Sequence, residues 1–127
     1  MRTYIKAVAA ITIAFCIGVT TVAAQSRPPT ANARAACREY GGVAQESLDI
    51  ARGVQATRAG LADQRELQQR YAALQQRVQR SPYGPVLIQA IGGDSGVPPW
   101  IVDIRAAREA SCLQAATAGI FGNVIDR

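Results

Sequence analysis

The chain has 127 residues, 14 Lys+Arg against 9 Asp+Glu, a formal net charge of +5 and no histidine. The missing imidazole excludes Ser-His-Asp and Cys-His nucleophilic catalysis, histidine general-base work, CxxCH haem attachment and the usual zinc sites. Two phenylalanines and one tryptophan limit the core to a thin one, built largely from alanine and aliphatic side chains.

Residues 1–24, MRTYIKAVAAITIAFCIGVTTVAA, have the three parts of a secretory signal. Arg2 and Lys6 supply the positive start, 7–19 the apolar run, and Val22-Ala23-Ala24 the small residues of a cleavage site after Ala24. An uncleaved anchor is the alternative, but Thr12, Thr20 and Thr21 interrupt a run already shorter than the roughly 20 residues that span a bilayer. Phe15 is too bulky to precede a lipid-modified cysteine, so Cys16 leaves with the signal. The expected location is the periplasm or the exterior.

Removing Arg2 and Lys6 leaves 12 cationic residues, all arginine, against 9 acidic ones, a net charge of +3. A basic cytoplasmic chain would suggest nucleic acid as a partner. In an exported chain with arginines interspersed among carboxylates, nucleic acid is not expected. The charge pattern suits a solvated surface with weak attraction to anionic envelope components.

Residues 25–32 form a polar, proline-containing lead-in expected to be disordered, and 33–127 a single helical domain. The first helix is expected over 33–52, with Cys37, Tyr40, Ala44, Leu48 and Ala51 on one stripe. Gly41 and Gly42 inside it suit close approach of another helix. Gly53, followed by Val54, reads as the left-handed stop.

Asp63 with Glu66 three residues on resembles a capping box, so the second helix starts near Gln64. Its Leu67, Tyr71, Leu74 and Val78 recur at spacings of four, three and four, the pattern of a coiled-coil seam. That face either packs within the domain or receives a partner. Glu66 and Arg70 are placed as a supporting pair.

"SPYGP", residues 81–85, stops that helix, and "VLIQAI" makes a short apolar turn of helix closed by Gly92-Gly93. The loop "GGDSGVPPW" lacks the lysine and the preceding strand of a phosphate-cradling loop. Pro98 and Pro99 are expected to open the last helix. Its buried stripe is read as Trp100, Ile101, Ile104, Ala107 and Ser111, with Cys112 at the margin. Arg105 and Glu109 are read as an exposed pair. Phe121 and Val124 in the tail either pack back or dock elsewhere.

Cys37 and Cys112 are the two cysteines that survive signal removal. In an oxidising compartment a bridge between them is the expected fate. An intermolecular bridge or two free thiols are the alternatives, and no redox CxxC is present. The expected fold is all-α: a small three- to four-helix bundle stapled by one disulfide.

Cys37-x-x-Tyr40-Gly41-x-x-Ala44, continuing to Ala51-Arg52-Gly53, together with Ser111-Cys112, resembles a group of small exported helical proteins of bacteria and phages. These carry one early and one late cysteine. The resemblance implies a fold and a compartment and no activity.

Two i, i+3 carboxylate pairs, Glu46 with Asp49 and Asp63 with Glu66, are the remaining route to hydrolytic chemistry. Each has a structural reading, Asp49 beside Arg52 and Asp63 at a helix start. No cofactor or metal is expected. The sequence favours a non-enzymatic protein that binds another envelope or secreted protein, as an inhibitor, immunity or accessory subunit. Its contact surface is read as Leu67, Tyr71, Leu74, Val78, Phe121 and Val124. The second reading is an acid- or envelope-stress chaperone that exposes apolar surface when its carboxylates titrate.

Overall fold

The structure, a computed structural model, describes residues 28–60, 63–92, 94 and 96–122. Residues 1–24, read above as a secretory signal, and Val124 therefore lie outside the described residues. The described chain is helical without strands: α1 (Ala31–Arg58), α2 (Gln64–Arg80), α3 (Gly84–Leu87) running into a 3₁₀ turn (Ile88–Ala90), and α4 (Arg105–Thr117).

α1 is the spine, 28 residues and so about 42 Å long. It starts two residues before the expected position because Thr30 caps it, its hydroxyl accepting from Ala33 N–H at 3.1 Å. Ala31 and Asn32 are thus helical rather than part of a disordered lead-in. Nor does it stop at Gly53. The residue with positive φ is Gly60 (φ 77°), and Gly53 continues the helix. Gly53 is small for a packing reason: a Cβ there would collide with the Leu67 side chain on α2. Val54 is consequently exposed rather than folded back on the core.

α2 runs antiparallel to α1, with Leu67 over Gly53, Arg70 paired to Glu46 and Ser81 bonded to Glu39. Its start is where expected, with Asp63 Oδ1 accepting from Arg65 N–H at 2.9 Å. That bond satisfies an otherwise orphaned amide, so Asp63→Ala should lower stability by about 1 kcal/mol. Urea unfolding would measure it. Arg70 does not serve Glu66 as its main partner. Both its Nε and Nη2 reach Glu46 (3.0 and 3.1 Å), tying α2 to α1. The hydrogen bond to Glu46 raises the Arg70 pKa further above its ordinary value. The raised pKa keeps Arg70 charged until strongly alkaline pH, so its half of this pair titrates out only there.

At the end of α2, Ser81 turns the chain. Its hydroxyl accepts from Tyr83 N–H and donates to Glu39 at 2.8 Å. α3 then drops Val86 and Leu87 into the core and the 3₁₀ turn adds Ala90, and Gly92 (φ 90°) ends the segment as expected.

α4 also lies antiparallel to α1. Cys37 and Cys112 form a disulfide, Cα–Cα 5.4 Å, 75 residues apart in sequence. A Cβ on Gly41 would stand 2.6 Å from the Arg105 carbonyl oxygen, so α4 begins in contact with the α1 backbone. α4 closes in a Schellman motif: Gly119 (φ 76°) follows it, and Ile120 N–H donates to the Ala115 carbonyl. That reversal returns Phe121 to the disulfide, where it packs, half-buried.

Two apolar clusters line α1. One joins Val43, Ala44, Leu48 and Ile50 to Leu74, Val78, Leu87, Ala90 and Ile104. The other surrounds the disulfide with Ala33, Ala36 and Val86.

Candidate functional site

The predicted contact face divides once the helices pack. Leu74 and Val78 sit in the larger cluster and Leu67 packs on Gly53. A partner helix could not take these three without opening the fold. Tyr71 remains 43% exposed, and with Val54 it borders an apolar groove of about 550 Å³ beside Ile50 and Thr57. Phe121 belongs to the disulfide cluster.

The largest departure from expectation is Trp100. It is not on a buried helical stripe but stands 77% exposed, beside the exposed Ile101 and Val102. Of the predicted stripe only Ile104 is buried, and Ala107 and Ser111 face solvent. Prolines and a glutamine cause this. A residue before proline is pushed out of the helical region, so the Pro98-Pro99 step disfavours helix at Pro98. The turn is closed by Ile101 N–H donating to the Pro98 carbonyl at 3.1 Å. Gln45 on α1 then pairs with the backbone as an amide would. Its Nε2 donates to the Val102 carbonyl (2.9 Å) and its Oε1 accepts from Ile104 N–H (2.7 Å). Backbone groups so engaged are diverted from helical bonding, and α4 starts only at Arg105.

The outer arm of the loop is fixed as well. Arg52 Nη2 donates to the Pro98 carbonyl at 3.1 Å, and Gly92 N–H donates to Ser47 Oγ at 2.9 Å. Residues 98–102 are therefore clamped at both ends to one face of α1, and their apolar side chains are held outward. An indole so placed can bury about 150–250 Å² against a partner. Little rotational freedom of the loop remains to be lost on docking.

The carboxylates have other occupations. Glu46 holds Arg70, Asp49 Oδ1 accepts from Gln45 Nε2 at 3.1 Å, and Asp63 caps α2. Among the described residues no three His, Cys, Asp or Glu side chains come together as a metal site. No helix of the described residues is long and apolar enough to cross a membrane, and a closed disulfide is compatible with a non-cytoplasmic location.

No family model, curated protein or solved structure matches this chain.

Proposed function

We propose that this is an exported, disulfide-stapled helical domain that acts by binding another envelope or secreted protein, with the loop at 98–102 as its contact surface. The observation that supports this reading is Trp100, 77% exposed on a loop held by Gln45 and Arg52. Tryptophan is the residue type most enriched among binding hot spots, together with tyrosine and arginine. A clamped, outward indole flanked by Ile101 and Val102 has the composition of an interface centre. The N-terminal signal segment and the disulfide support the compartment.

Trp100→Ala should leave the unfolding midpoint unchanged, because an exposed side chain contributes little to stability. Binding should fall by at least about tenfold, the loss expected at an interface centre. The test immobilises the wild-type protein, Trp100→Ala and Tyr71→Ala, and compares what each retains from an envelope extract. A protein held by wild type and Tyr71→Ala but lost from Trp100→Ala supports the reading. Equal retention on all three would overturn the loop as the contact surface.

A further inference from the structure

Arg38 and Gly42 of α1, Arg77 of α2, Arg105 of α4 and Tyr83 line one cleft of about 460 Å³, together with Glu39. The glycine pair explains how arginines from two other helices reach the same stretch of α1. A Cβ on Gly42 would stand 3.2 Å from Arg77 Nη2, and one on Gly41 3.3 Å from Arg105 Cγ. Side chains at these positions would displace the guanidinium of Arg77 and the stem of Arg105. Arg38 lies one turn before Gly42 on the same helix.

These charges are not neutralised internally. Among the described residues none of the three arginines shares in an ion pair such as that of Arg70 with Glu46. Glu39, the carboxylate of the cleft, is half-buried and bonded to Ser81 Oγ at 2.8 Å. Three arginines and one carboxylate thus line a shared space, a balance of charge that favours an anion.

We propose that this cleft binds a phosphate-bearing ligand. Guanidinium forks match phosphate oxygens in bidentate pairs. Several such forks suit a group that offers three oxygens and up to two negative charges. Tyr83 lines the same cleft. The cleft falls within the roughly 300–1,000 Å³ of small-molecule sites, which leaves room for the group that carries the phosphate. The site is separate from the Trp100 loop and does not depend on it.

The experiment is titration calorimetry with inorganic phosphate at constant ionic strength set by chloride, alongside flotation with phosphatidylcholine vesicles with and without phosphatidylglycerol. Saturable phosphate binding is expected. It should weaken by at least about tenfold in Arg77→Gln and in Arg105→Gln, as expected for loss of a charge-assisted pair, and stay unchanged in Arg80→Gln, which lies outside the cleft. Vesicle binding that requires Arg77 and is competed by phosphate assigns the group to a lipid headgroup. Phosphate binding without vesicle binding assigns it to a soluble phosphoester. Neither response above chloride, or an equal loss in Arg80→Gln, would overturn the site.

Discussion

Replacing Cys37 and Cys112 together by alanine should lower the unfolding free energy by about 4.5 kcal/mol, the chain-entropy value for a loop closed 75 residues apart. For a domain of this size that corresponds to a fall of roughly 15–30 °C in the melting midpoint. The expectation rests on the place of the disulfide in α4, whose other ties to α1 are the Gly41–Arg105 backbone contact and the Gln45 bonds just before it. Cys112 is its one fully buried side chain, while Ala106, Ala107, Ala110 and Ser111 are exposed. Leu113 and Ala116 add only half-buried contacts. The unfolded chain gains entropy and α4 loses its covalent tie to α1 by the same change. Both sulfurs are buried, Cys37 fully and Cys112 to 2% exposure, so reductant should act slowly on the folded protein and quickly once denaturant is added. Thermal melts of the paired variant check the magnitude. Hydrogen exchange should show α4 amides losing protection before those of α1. A loss under about 1 kcal/mol would mean that α4 is held by packing after all.

The second large effect is at Gly41. Alanine in place of glycine inside a helix ordinarily gains up to about 1 kcal/mol. Here the sign should reverse, because the new Cβ meets the backbone oxygen of Arg105 at 2.6 Å and α4 must move. Gly41→Ala should cost about 2 kcal/mol and Gly41→Val about 3 kcal/mol, typical of overpacking a tight contact. Gly42 is the internal control. Its added Cβ would meet the mobile end of Arg77 at 3.2 Å, so Gly42→Ala should be close to neutral. A loss at Gly41 beside a near-neutral change at Gly42, read from denaturant midpoints, would locate the contact between α1 and α4.

Much of this fold was legible from residue spacing. The cap at Asp63, the stop at residues 81–85 and the glycines after "VLIQAI" are local signals, and they placed α2 and the short α3 turn. With Cys16 read as part of a signal, Cys37 and Cys112 offered a single intramolecular pairing, and they form the disulfide. Glycine was harder to read, because one residue type serves two purposes. Gly53 resembled a helix stop and proved to be a packing gap for Leu67, while Gly60 supplied the positive φ.

The site was the least legible part. A seam of Leu67, Leu74 and Val78 shows that a face is buried without saying by what, and α1 of the same chain covers it. Trp100 reads as inward because Pro98-Pro99 suits a helix start, which puts it first on a stripe with Ile101 and Ile104. Its outward position follows from Gln45, 57 residues away from the carbonyl it binds. No periodicity records a contact of that range. The arginine cleft has the same origin, since Arg38, Arg77 and Arg105 are remote in sequence and meet over the two glycines.

Trp100 is the single tryptophan of the chain, so its fluorescence tests the exposed loop without labels. The measurement is the emission maximum and acrylamide quenching of the native protein, compared with the same protein in denaturant. An exposed indole should give native emission close to that of the unfolded chain and comparable quenching, while circular dichroism reports intact helices. Emission shifted to shorter wavelength and shielded from acrylamide in the isolated native protein would contradict the outward loop and, with it, the contact surface proposed for this domain.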